Sequence, residues 1–225
     1  MIVTDFSRQA NILNVEKDGN KPIHIVGAGA TGSWITLGLA KMGFKNITVY
    51  DFDEVGEHNL PNQAFMLEHI GQNKASAISQ LTGLCTGKGV NYSENKIEGG
   101  ESLSGVVIVL TDTMKSRKDI WNRSVKFKPS IEMLIETRMD LRCGRIYCVN
   151  PNDMTQIKKY EETLYDDSEA EVSACGVSQT VLCTALGITS QVIWKILNHV
   201  NGNENDNETL VEFENNYIIN NKWDK

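Results

Sequence analysis

No run of apolar residues in the 225-residue chain reaches the length needed to cross a membrane. The first twenty residues, Met1 to Asn20, are polar and lack the apolar centre of a secretory signal. A cytoplasmic protein without a membrane partner is the expectation. Positive charge is in deficit, with 22 Lys and Arg against 29 Asp and Glu and a net charge of −7. That balance disfavours nonspecific association with nucleic acid. Cysteine is present but without metal spacing. Cys85, Cys143, Cys148, Cys175 and Cys183 form no C-x-x-C pair, so a structural zinc site is not expected. Their odd number, without a secretory signal, argues against a disulfide framework. The four histidines do not cluster. Internal repeats and long low-complexity tracts are missing as well.

What remains is ordinary globular material, 40% hydrophobic and 23% charged. The length suits one large α/β domain over residues 1–225, with an N-terminal arm (1–20) and a C-terminal linker and strand (201–225). Strand and helix signals alternate through the first two-thirds. Strands are expected over 22–27, 47–50 and 106–110, and helices over 31–43, 72–81 and 114–125. Residues 54–70 form a connection long enough to suggest a binding role. Residues 83–104 read as loops around a weak strand. Ile131–Glu136 and Arg145–Val149 read as a strand pair around a turn-like 141–145, consistent with antiparallel pairing. A short helix (155–164), a long apolar helix (176–199) and a last strand (210–219) follow. The pattern predicts an α/β, Rossmann-like fold. Its sheet is mostly parallel, with helices on both faces and some antiparallel strands in the C-terminal part.

The apolar strand Ile23–Val26 runs into Gly27-Ala28-Gly29-Ala30-Thr31-Gly32-Ser33. Glycines there let backbone press against phosphate, and the N-terminus of the following helix favours negative charge. Asp51 lies 22 residues beyond Gly29, where an acid can bind ribose hydroxyls. Asp51–Asp53 and Thr111-Asp112 fall at further strand ends, where ligands bind in open α/β sheets. The glycine turn alone also suits simple packing. Gly27, Gly29, Gly32 and Asp51 equally suit an NAD-binding oxidoreductase, a reading that leaves Asn59, Lys74 and Asp112 unexplained.

Four ordered elements resemble the ThiF/MoeB/HesA-type adenylyltransferases, the family that includes the ubiquitin-activating enzymes. They are the glycine turn, Asp51-Phe52-Asp53-Glu54-Val55 with Asn59-Leu60, Ile70-Gly71-Gln72-Asn73-Lys74, and Val109-Leu110-Thr111-Asp112. The resemblance covers residues 5–150 and, more loosely, 170–198. It implies ATP and Mg2+ as cofactors and adenylation of the C-terminal carboxylate of a small ubiquitin-like or sulfur-carrier protein or peptide. It places nucleotide contacts at Gly27, Gly29, Gly32, Ser33, Asp51, Asp53, Asn59, Gln63 and Lys74, and magnesium at Asp112. It makes Arg8 a catalytic residue reaching across a homodimer interface. It makes Cys175 an acceptor for the activated acyl group. One position departs: the family's Asn-Leu-x-Arg-Gln carries Asn62 in place of arginine. An uncharged amide cannot make a bidentate phosphate contact, so a degenerate ATP-binding scaffold is a second reading. The family's transfer-RNA-modifying branch is another, against which the net charge counts. Without the resemblance, Asp112 suits a helix N-cap, Lys74 a solvated helix position, Arg8 a surface position and Cys175 an ordinary buried thiol.

Overall fold

The computed structural model of the chain describes residues 4–166 and 180–223. Eight strands form one mixed sheet: β1 (Ile23–Val26), β2 (Ile47–Tyr50), β3 (Asn91–Ser93), β4 (Gly105–Val109), β5 (Ile131–Met139), β6 (Cys143–Val149), β7 (Glu208–Glu212) and β8 (Tyr217–Asn221). Their order is β3-β2-β1-β4-β5-β6-β7-β8. The first five run parallel, and β6, β7 and β8 add antiparallel. The α/β, mostly parallel architecture expected from the alternating pattern is the one observed.

Helices cover both faces. On one face α2 (Gly32–Met42), α3 (Lys74–Thr86) and α6 (Leu182–Val200) bury Ile35, Leu39, Ile78, Ile188 and Val192 against Ile25, Val49 and Ile108. On the other, α4 (Met114–Ile120) and α5 (Met154–Glu161) pack Ile120 and Ile157 against Val107, Leu134 and Val149. Every residue of β4 is buried, as its continuous apolar run requires of a central parallel strand.

Several boundaries differ from the sequence pattern, for local reasons. The helix expected over 72–81 runs from Lys74 to Thr86, because the Asn73 side chain accepts from the Ala75 and Ser76 amides and fixes its start. The polar helix expected over 114–125 is regular only to Ile120. It then widens, with the Lys126 amide reaching the Trp121 carbonyl. The strand pair around 141–145 is antiparallel as expected, with β6 already beginning at Cys143. The single last strand over 210–219 is instead a hairpin, β7 to β8, turned at Asn216 with φ +59°. The turn is marked only by Glu214-Asn215-Asn216, without glycine or proline, so the pattern alone announces it weakly. The N-terminal arm holds one turn, Ser7–Gln9, and a short helix, α1 (Val15–Asp18). The long helix begins at Leu182 within the described part, and residues 176–179 lie outside it.

Candidate functional site

The carboxyl ends of β1, β2 and β4 open on one cleft lined by Gly27, Gly29, Asp51, Asp53, Lys74 and Asp112. Residues singled out on three separate strand ends, and at the start of α3, thus meet in one place.

The glycines have different tasks. Gly27 sits at φ +104°, and a Cβ there would lie 3.0 Å from the Leu110 carbonyl oxygen. A Cβ on Gly32 would lie 1.9 Å from the Gly27 carbonyl oxygen, so Gly32 lets the start of α2 close on the turn. A Cβ on Gly29 would meet nothing within 4 Å. Its backbone faces open space in the cleft, the approach a phosphate needs. Ser33 is fully buried and acts as a tie. Its hydroxyl donates to the Gly29 carbonyl at 2.8 Å and accepts from the Ala64 amide at 3.1 Å.

Asp51 is anchored at both oxygens. Oδ2 accepts from the Ala28 amide at 2.6 Å and Oδ1 from the Asp53 amide at 2.9 Å. Each oxygen keeps a further lone pair for a hydroxyl. Burial pushes the Asp51 carboxyl upward from its ordinary value, and the two amides and Lys74 hold the shift back. The Lys74 ammonium stands 3.1 Å from the Asp53 carboxylate. Asn73 completes this corner: its amide donates to the carbonyls of Asp51 at 2.9 Å and Asp53 at 3.2 Å. The Gly71-Gln72 turn pairs with Val55 through Gly71 N to Val55 O and Val55 N to Gln72 O, both 2.8 Å.

Asp112 is exposed at the cleft. The N-cap of α4 is Thr113, whose hydroxyl accepts from the Ser116 amide at 3.2 Å. The Asp112 carboxylate is therefore not spent on the helix end.

Other expected residues lie elsewhere. Asn59 is buried and accepts from the Gly56 amide at 2.8 Å, shaping its own loop rather than lining the cleft. Gln63 is buried beside it, its backbone N–H donating to the Asn59 backbone carbonyl at 2.9 Å. The Asn62 side-chain amide donates to the Thr180 hydroxyl, and the Asn62 backbone carbonyl accepts from the Trp34 indole at 3.1 Å. Arg8 is exposed on the arm and does not line the cleft of its own chain. Its neighbour Gln9 ties the arm to the Met42 carbonyl at 2.5 Å. Cys175 lies outside the described residues.

Tyr50, Phe52, Lys96 and Ile97 also line the cleft and were not anticipated as site residues. The Lys96 ammonium lies 5.5 Å from the Phe52 ring centre. An aromatic between the two acids Asp51 and Asp53 was the available signal for Phe52. Nothing periodic marks Lys96 within its loop. Behind the cleft, His24 Nδ1 lies 2.9 Å from the Tyr50 hydroxyl. Burial lowers the His24 pKa and raises that of Tyr50, to which Glu101 adds.

The donor set suits a nucleoside phosphate: an open backbone at Gly29, hydroxyl acceptors on Asp51 and a cation on Lys74. A magnesium ion bound with phosphates needs only one or two protein carboxylates, and Asp112 can supply one. Among the described residues no group of three or more His, Cys, Asp and Glu is arranged to hold a metal by itself. Nor, among them, is any helix long and apolar enough to cross a membrane.

Over 65 residues the chain is 34% identical to tRNA threonylcarbamoyladenosine dehydratase 2 of Saccharomyces cerevisiae, a match spanning 28% of this chain and 14% of that protein. MccB of E. coli, in a structure with AMPCPP and MccA, superposes with a TM-score of 0.70 at 14% identity. That match covers 94% of this chain and 66% of MccB. PaaA superposes with a TM-score of 0.70 at 14% identity, over 97% of this chain and 82% of its own. At such identity these two are likenesses of fold. The ThiF family model matches residues 6–224, and the chain belongs to the ThiF family.

Proposed function

We propose that the cleft binds ATP with Mg2+ and adenylates the C-terminal carboxylate of a small ubiquitin-like or sulfur-carrier protein or peptide. The observation that carries this reading is the meeting of Gly29, Asp51, Lys74 and Asp112 in one cleft. The MccB structures, one holding ATP and another AMPCPP with MccA, are consistent with it. A carboxylate oxygen attacks the α-phosphorus. A bond forms between them, and the bond to the bridging oxygen breaks as pyrophosphate leaves with that electron pair. Two anions must approach, so the Lys74 ammonium stabilises the charge that gathers. Asp51 holds the ribose hydroxyls, and the Gly27–Gly32 turn keeps side chains off the phosphates. Asp112 would hold the magnesium ion, which when bound neutralises phosphate charge. Onward transfer to Cys175, a homodimer sharing Arg8 and a cytoplasmic setting belong to the same proposal.

ATP–pyrophosphate exchange with Mg2+, with and without carrier proteins ending in Gly-Gly, tests it. Partner-dependent exchange that disappears in Asp112→Ala and Lys74→Ala supports adenylation. Full exchange in both variants sinks it. Asn62 favours a second reading, an ATP-binding scaffold without catalysis. ATP binding without exchange, with exchange restored by Asn62→Arg, would establish that reading. The yeast relative's name points to transfer RNA, and a net charge of −7 works against a polyanionic substrate.

A further inference from the structure

Beside the cleft, under α4, lies a buried ionic cluster that the proposed chemistry does not use. The Glu136 side chain is fully buried. Its Oε1 accepts from Arg117 Nη1 at 2.5 Å and Arg138 Nε at 2.7 Å, and its Oε2 accepts from the Tyr160 hydroxyl. Arg117 Nη1 also donates to the Thr137 carbonyl at 2.7 Å. Arg138 is fastened in turn by the Thr163 carbonyl at 2.8 Å and covers the Tyr147 ring at 4.7 Å.

The position of this cluster connects it to the site. Glu136 on β5 is in register with Val109 on β4, the strand that leads directly to Thr111 and Asp112. α4 begins straight after them, and its Thr113 and Ser116 line the cleft. The helix is short and rests on only three buried residues, Met114, Arg117 and Ile120. The apolar contact of Ile120 with Val107 and Leu134 resists separation from the sheet but not sliding along it. The Arg117 guanidinium, bonded to a carboxylate and a carbonyl of β5, fixes direction as well as distance. Burying a carboxylate is unfavourable, and an apolar residue would serve stability as well. Geometry is what the ion pair adds.

We propose that Glu136 and Arg117 are positioning residues. They hold α4 so that Asp112 meets the metal carried by the nucleotide phosphates. This rests on the ATP reading above. The test is calorimetric binding of ATP to the full chain, with Mg2+ and with EDTA, for wild type, Glu136→Gln, Arg117→Met and Arg117→Lys. Losing a hydrogen-bond partner of a metal ligand weakens metal affinity roughly tenfold to a hundredfold, and Glu136 and Arg117, which brace the helix after Asp112 rather than Asp112 itself, belong at the lower end. Glu136→Gln and Arg117→Met should therefore weaken binding of Mg·ATP about tenfold while metal-free ATP binds as to wild type. Arg117→Lys, which keeps the charge but not the directed guanidinium bonds, should recover only part of the loss. A merely structural role lowers the melting temperature and leaves the ratio of the two affinities unchanged. If Glu136→Gln fails to fold by circular dichroism, the Met and Lys variants of Arg117 give the same readout. An unchanged ratio in the folded variants, or equal loss with and without metal, overturns the positioning role alone. A wild type that binds no ATP under either condition overturns the nucleotide reading and this one with it.

Discussion

The Lys74 ammonium lies 3.1 Å from the Asp53 carboxylate, while the Lys74 backbone amide donates to the Asp53 carbonyl at 2.8 Å. Lysine and acid are clamped at both ends, so the flexible side chain is held at the cleft before any ligand arrives. Removing a preorganised charge from a transition state lowers rate by about a hundredfold or more. Lys74→Ala should reduce ATP–pyrophosphate exchange on that scale with an unaltered circular dichroism spectrum. Asp53→Asn leaves the ammonium present but loosely held, and a smaller loss is expected. A larger loss in Asp53→Asn than in Lys74→Ala would reassign the main role to the acid.

Two glycines in one turn should respond oppositely to the same substitution. At Gly32 the added carbon would lie 1.9 Å from the Gly27 backbone oxygen, and neither partner can rotate away. Overpacking of this kind destabilises by about 3 kcal/mol, read as a lower urea midpoint for Gly32→Ala. At Gly29 the added carbon meets no protein atom within 4 Å. Gly29→Ala should unfold at the wild-type midpoint yet bind ATP more weakly, because the methyl occupies the space intended for phosphate. Equal stability losses in the two variants would refute this division.

The thiols should separate by burial. Cys85 and Cys183 are exposed, and Cys148 is buried. Burial pushes the Cys148 thiol up to about 12, which keeps it protonated and inert at neutral pH. Alkylation of the native protein, mapped by peptide mass, should label Cys85 and Cys183 and spare Cys148 until the chain is unfolded. Native labelling of Cys148 at the rate of Cys85 would contradict the packing of β6.

The sequence made the front of the sheet legible because its signals are local. A strand, a glycine turn and a helix start follow one another from Ile23 to Ser33, Asp51 stands directly after an apolar strand and Asp112 three residues after another. What it did not show depends on contacts between distant segments. Asn59 and Gln63 fold inward because their loop is fastened to α2 through Ser33 and Trp34. Lys96 enters the cleft because β3 pairs with β2, which no pattern in a Gly- and Ser-rich loop announces. The Glu136 cluster joins residues from β5, α4 and α5, and its glutamate and arginines look like ordinary surface charges until the sheet brings them together. The β7–β8 hairpin was hidden for a different reason. Its turn uses Asn216 rather than glycine at a positive φ, so the punctuation was faint.

Glu136 should leave its mark on acid stability. Burial raises its pKa, but Arg117, Arg138 and the Tyr160 hydroxyl outweigh burial and hold the carboxyl below its ordinary value of 4.5. The unfolded chain therefore takes up this proton at a higher pH than the folded one. The stabilisation is fully present above the ordinary glutamate value and is lost as pH falls from there through the depressed folded value. In Glu136→Gln that contribution is gone at every pH. The variant also leaves two guanidiniums without their counter-charge, which at neutral pH destabilises by about 3 kcal/mol. Urea unfolding at a series of pH values should then show wild type and variant far apart near neutrality and converging in acid. Parallel curves over the whole range would mean that Glu136 titrates alike in both states, and that the two arginines do not hold its charge.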